Sequence, residues 1–232
     1  VSNSAVQLQM FAALGAAPPR LAHMALFTGK DAALSKRLGS EGVESWRAQS
    51  VEPVAIAALL ARLGTSQPVE PKAALADLLP GFALSHFSRA PARFDPADLL
   101  PLSARCLHLM DFAAVAPRLP AGMTEAGWLA VRGNLNRIEE AALWQQVITG
   151  PIAPVHENAD YLAAAHAVLA GLDWGDDIWS RLVAALKDST GRKGRALFHP
   201  LRLALTGQDT GPDMASLLPL IGREAALARL AG

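Results

Sequence analysis

The stretch GRKGRALFHPLRLALTGQDTGPDMASLLPLIGREAALARL, residues 191–230, carries its apolar residues at helical spacing and shows almost no strand-like alternation. Pro212 suits the opening of one helix, Gly222 its stop, and residues 223–230 a short last helix. The same grammar recurs upstream. DDIWSRLVAALKDSTG and NADYLAAAHAVLAG each join an acidic or amide start to an apolar stripe and a glycine stop. The stripes are Ile178, Trp179, Leu182, Val183 and Leu186 in the first, and Leu162, Ala165, Val168 and Leu169 in the second. In VEPVAIAALLARLG, Pro53 fits a first helical turn, Val54, Ile56, Leu59, Leu60 and Leu63 form a broad apolar face, and Gly64 offers a left-handed end. In RFDPADLLPLSARCLHLM, Asp95 can accept from the free amides of a first turn and Pro96 sits at its first position, while Pro101 predicts a kinked or split helix. The opening VSNSAVQLQMF starts inside an amphipathic helix with Val6, Met10 and Leu14 on one side.

Proline and small polar residues collect at 64–71, 116–122 and 149–158, which divides a mainly α chain into three or four helical blocks in series, with no repeat period. The 232 residues are 51% hydrophobic and 18% charged, enough for one large or two to three small cores. Cys106 is the single cysteine, which excludes an internal disulfide and a cysteine-rich zinc site and fits a reducing compartment. No apolar run is of membrane-spanning length and no signal peptide opens the chain, so a cytoplasmic location is expected.

With 21 basic and 21 acidic residues the chain is neutral, so contact with a polyanion requires local clustering. Two places offer it. Between residues 187 and 202 the five bases Lys187, Arg192, Lys193, Arg195 and Arg202 face Asp188 alone, a patch that fits either a solvated face or RNA phosphates, with Phe198 or His199 free to stack on a base. Phe198 reads more readily as core. The second place is LFTGKDAALSKRLGS, residues 26–40, where Ser35, Lys36 and Arg37 lie between Gly29 and Gly39. Such a loop can close over phosphates and offer donors where charge develops on phosphorus, and it can equally be a solvated basic turn. The six histidines show no metal-site spacing, and the five tryptophans read as packing anchors.

Taken in order, these segments resemble the C-terminal half of a bacterial-type glutamyl-tRNA synthetase. Leu34, Ser35, Lys36 and Arg37 fall on that family's second ATP signature, usually Lys-Leu-Ser-Lys-Arg, with Ala33 in place of the first lysine. VEPVAIAALLARLG and FALSHFSRAPARFDPADLL resemble its helical stem-contact region, and PLRLALTG, the following GP and LIGRE resemble its terminal anticodon-binding domain. The resemblance implies the end of a class I Rossmann-type catalytic domain with the ATP loop (1–40), a helical stem-contact region (41–112), a helical anticodon-binding subdomain (113–150) and a terminal helical anticodon-binding subdomain (151–232).

It also implies the activity of a glutamate-tRNA ligase. Glutamate's carboxylate would attack the α-phosphate of ATP, with Mg²⁺ carried on the nucleotide, and glutamate would pass to its tRNA. Lys36 would stabilise the transition state, with Ser35 and Arg37 completing the ATP contact. His199, Arg202, Gly211, Pro212 and Met214 would face the anticodon bases, and Arg192, Lys193 and Arg195 the tRNA backbone. Asn134 falls where discriminating members read the first anticodon base with an arginine, with Arg132 and Arg137 nearby. The family's first ATP signature and its glutamate pocket lie upstream of anything present here. The expectation is therefore a monomeric fragment that binds tRNA and does not make glutamyl-adenylate by itself. The alternative from another class is a non-catalytic helical tRNA- or protein-binding module derived from such an enzyme. A glutaminyl enzyme is disfavoured, because that relative reads anticodons with β-barrels and this tail is helical.

Overall fold

The computed structural model describes residues 2–29 and 42–231. The loop carrying Ser35, Lys36 and Arg37 lies outside them. Helix α1 (Ser2–Ala13) forms where the apolar stripe predicts it, yet Val6 and Met10 are exposed, so the stripe adds nothing to the core. Strand β1 (Phe27–Thr28) pairs in parallel with β2 (Ala92–Arg93), Phe27 opposite Ala92. Two-residue strands are too short to alternate, and the sequence does not announce them.

Helices α2 (Val43–Ala48) and α3 (Pro53–Leu60) follow, with Pro53 at the first helical position of α3 and Gly64 at φ +86° just beyond it. Ahead of α4 (Leu99–Leu107) the Asp95 carboxylate accepts the Ala97 N–H at 3.1 Å and opens a single 3-10 turn, Pro96–Asp98. The helix is split as expected, but the break precedes Pro101. That proline stands in the first turn of α4, where its missing N–H has no partner to lose. Helices α3 and α4 pack on one another.

Helices α5 (Phe112–Val115), α6 (Glu125–Val131) and α7 (Ala141–Thr149) form the next block. Trp128 of α6 is fully buried and donates its indole N–H to the Met110 carbonyl at 2.9 Å, which satisfies the one polar atom of the ring. Two polar ties join this block to the preceding one. Glu52, only 2% exposed, accepts both arms of the Arg118 guanidinium at 2.6 and 2.8 Å, and the His108 Nε2–H donates to the Leu135 carbonyl at 2.7 Å.

The last block contains α8 (Ala159–Gly171), α9 (Ile178–Thr190), α10 (Arg195–Thr206), α11 (Met214–Ile221) and α12 (Arg223–Ala231). Helix α8 packs on α9, α10 and α12, while α11 packs on α9 and back onto α6 and α7. The hydrophobic core consequently runs unbroken from Val51 to Leu230, across all three proline-rich stretches of the sequence. Helix α9 ends at Gly191, φ +67°, as its glycine stop predicts. Helix α11 is opened by Asp213, whose carboxylate accepts the Ala215 N–H at 3.0 Å, and Pro212 lies one residue outside it. A side-chain acceptor satisfies a free first-turn amide, which proline cannot do, so the aspartate takes the cap.

Arg229 on α12 is buried and bonded to carbonyls: Nη1 donates to Leu205 at 2.8 Å and Nη2 to Gly150 at 3.1 Å. Burial pushes its guanidinium below the ordinary arginine range. The Arg229 carbonyl in turn accepts the His156 Nε2–H at 2.8 Å, so the linker before α8 is pinned at both ends.

Candidate nucleic-acid interface

Helix α10 has two faces. Leu197, Leu201, Ala204 and Leu205 are buried. Arg195, Phe198, His199 and Arg202 then fall together on the other side at i, i+3, i+4 and i+7. Phe198 is 43% exposed, with its ring 6.2 Å from that of Trp179. It is not core, because the stripe beginning at Leu197 turns position 198 outward. Pro200 interrupts the helical ladder and frees the Ala196 carbonyl, which Arg192 Nη1 takes up at 3.3 Å. The Arg192 guanidinium also lies 4.1 Å from the centre of the Tyr161 ring, and the Tyr161 hydroxyl donates to the Leu197 carbonyl at 2.7 Å. Arg192 thus braces α8 against α10, whereas Lys193 and Arg195 project into solvent.

The loop 207–213 folds back over this face. Gly211, at φ +151°, passes so close to α7 that a Cβ there would lie 2.0 Å from Trp144 Cη2. Arg202 Nη2 donates to the Pro212 carbonyl at 3.0 Å, and its Nη1 is buried without a hydrogen-bond partner. Burial pushes the Arg202 guanidinium below its ordinary value, while the carboxylates of Asp213 and Asp209 act to raise it. Met214 is 3% exposed and Pro212 is buried, so their side chains belong to the core and these two positions can offer a ligand only backbone. Asn134 is exposed at the end of the 3-10 turn that follows α6, the helix on which α11 rests.

Acidic groups enter the same patch from elsewhere. His199 Nε2 is hydrogen-bonded to Asp209 Oδ1, Arg195 Nη2 is 3.7 Å from that oxygen, and Glu157 Oε2 is 3.6 Å from His199 Nδ1. The bond from His199, followed by the charges of His199, Arg195 and Arg202, holds the Asp209 carboxyl below the usual range. Of the bases between residues 187 and 202, Arg195 and Arg202 are therefore faced by acids from outside the segment. The spacing along α10 could have shown that Phe198 shares the face of Arg195 and Arg202. No local signal marks Glu157 or Asp209, which arrive from a linker and a loop. Among the described residues no group of three or more His, Cys, Asp or Glu is placed to hold a metal, and no helix is long and apolar enough to cross a membrane.

A helical bundle that offers an arginine face and a glycine-hinged backbone loop is suited to unpaired bases. Residues 153–232 match the family described as anticodon binding domain, and this part of the chain is an all-helical domain of that class. The chain as a whole is homologous to part of the glutamate-tRNA ligases. It is 58% identical over 233 residues to glutamate-tRNA ligase 2 of Sphingopyxis alaskensis and 55% identical over 232 residues to glutamate-tRNA ligase 1 of Rhizorhabdus wittichii. Both alignments cover 99% of this chain, which spans about half the length of those relatives, 53% and 52%. Its fold is similar to that of a glutamate tRNA ligase from Elizabethkingia meningosepticum, with TM-score 0.71 at 19% identity over 99% of this chain and 54% of that one.

Proposed function

We propose that this chain is the tRNA-reading portion of a glutamate-tRNA ligase, an enzyme that joins glutamate to its tRNA at the expense of ATP. The observation that carries the reading is Arg202. Its guanidinium is anchored by one arm to the loop 207–213 and keeps a buried donor without an acceptor on the other. A buried donor left unpaired costs about 1–3 kcal/mol, and a base edge would supply the missing acceptor. In this reading His199, Arg202 and the backbone at Gly211, Pro212 and Met214 meet the anticodon, Asn134 meets its first base, and Lys193 and Arg195 meet phosphates. Arg192 contributes chiefly by bracing α10.

The regions 1–40, 41–112, 113–150 and 151–232 are proposed as the end of the catalytic domain, the stem-contact region and two anticodon-binding subdomains. Ser35, Lys36 and Arg37 are proposed to meet the phosphates of ATP, which would bring Mg²⁺ with it, in a cytoplasmic, monomeric enzyme. On this proposal the chain binds tRNA.

The test is binding of this chain to glutamate tRNA and to an anticodon-substituted transcript across a salt series, with Arg202→Ala in parallel and thermal melts to confirm folding. The expected result is anticodon-dependent binding in the parent chain, weakened about 5- to 150-fold for the cognate transcript in the variant, as loss of a base contact implies. Equal affinity for the two transcripts in the parent chain would rule the reading out.

A further inference from the structure

Three bases of α10, Arg195, His199 and Arg202, share one face, and a single carboxylate interacts with all three. Asp209 is hydrogen-bonded to His199, lies 3.7 Å from Arg195 and acts electrostatically on Arg202. Its side chain is 65% exposed, so it does not hold the core together. Its position follows from the loop: Gly207 takes φ +69°, where a Cβ would lie 2.8 Å from the Ala153 carbonyl oxygen, and Gly211 is pressed on Trp144. Between these two fixed points Asp209 can face only a short stretch of α10. The other charged groups turned toward His199 and Arg202 are Glu157 from the linker before α8 and Asp213 at the start of α11.

Resting on the proposed RNA-binding reading, we infer that Asp209 is a specificity-determining residue that suppresses binding of RNA offering phosphates without the right bases. The argument is one of exchange. A phosphate approaching Arg195 and His199 must displace or tolerate a carboxylate already there, so the gain from counterion release at these two groups is small. Charges beyond about 8–10 Å are screened at physiological salt, and these local acids therefore set the field more than the neutral whole does. Recognition is left to contacts a phosphate cannot make, such as the Arg202 donor on a base edge. Specificity is a difference of affinities, and a built-in repulsion lowers the wrong one.

The test compares the whole chain with Asp209→Asn, which keeps the shape and removes the charge, and with Glu157→Gln, which removes the more weakly placed acid on the same face. Binding of glutamate tRNA and of an unrelated single-stranded RNA is measured across a salt series. Asp209→Asn should bind the unrelated RNA about three- to tenfold tighter and steepen its salt slope by about one counterion, while glutamate tRNA gains less, so the ratio between the two falls. Glu157→Gln should move both quantities the same way by less. Unchanged affinity and slope for the unrelated RNA in Asp209→Asn, or weaker binding of both RNAs, overturns the inference. A parent chain with no preference for glutamate tRNA overturns instead the reading beneath it, so the two failures are separable.

Discussion

Replacing Gly211 by alanine places a methyl carbon 2.0 Å from Cη2, 2.5 Å from Cζ2 and 3.1 Å from Cζ3 of Trp144. The tryptophan is only 6% exposed and part of the continuous core, so the ring cannot swing aside and the loop 207–213 has to lift. Forcing extra volume into a packed site costs about 1–3 kcal/mol. An L residue at φ +151° adds about 1–3 kcal/mol of backbone strain. The expected loss is therefore about 2–6 kcal/mol, a large share of the roughly 5–15 kcal/mol of an ordinary domain. Equilibrium urea unfolding at 25 °C, followed by far-UV circular dichroism, measures it. A double-mutant cycle with Trp144→Leu then separates the two contributions: without the ring the clash disappears and the backbone strain stays, so Gly211→Ala should cost at least ~1 kcal/mol less in that background. Lifting the loop also draws the Pro212 carbonyl from Arg202, so on the proposed reading of this face anticodon discrimination should fall with stability. A variant within about 0.5 kcal/mol of the parent, or the same cost in both backgrounds, would show that the contact with Trp144 is not what demands glycine.

The buried pair offers an asymmetric test: Arg118→Ala strands the Glu52 carboxylate in the core and should cost about 3–5 kcal/mol, whereas in Glu52→Gln the half-exposed Arg118 can hydrate and the loss should be smaller. Equal losses in urea melts would contradict this. Arg229→Met leaves the Leu205 and Gly150 carbonyls without their donor and should destabilise by about 2–4 kcal/mol, and a loss under about 1 kcal/mol would mean the linker before α8 is held by other contacts. Tyr161 is the one tyrosine of the chain, and burial pushes its hydroxyl up to about 12, so absorbance at 295 nm should titrate near there in the folded chain and near 10 in urea. Because the folded value is the raised one, the associated stability is present below about pH 10 and lost as pH rises through about 12, and Tyr161→Phe should remove that slope. Titration near 10 with native circular dichroism would refute the burial account.

Much of the helical fold was legible because helices are written locally. The stripes through Leu162 and Leu182, the Asp95 cap and the stops at Gly191 and Gly222 each depend on neighbours within two turns, and all are present in the structure, whereas α3 ends at Leu60, before the stop expected at Gly64. Local reading failed where a competing local group won, as when Asp213 displaced Pro212 from the start of α11, and where pairing was too short to leave a pattern, as in β1 and β2. It also placed Phe198 inside, although the stripe from Leu197 to Leu205 turns it outward.

For the candidate site the division is sharper. Spacing along one helix is sufficient to put Arg195, His199 and Arg202 on a common face, because a turn of 3.6 residues is a property of the backbone alone. Their charge environment is another matter. That Glu157 and Asp209 counter this face, that Arg192 is drawn off to Tyr161 and Ala196, and that Gly211 is pressed on Trp144 all depend on where loops return in space. Electrostatic interaction falls off with distance in space and is indifferent to distance along the chain. A count of bases in a segment therefore shows only that charge is concentrated there, and the folded path of the acids decides which of those bases are faced by an opposite charge.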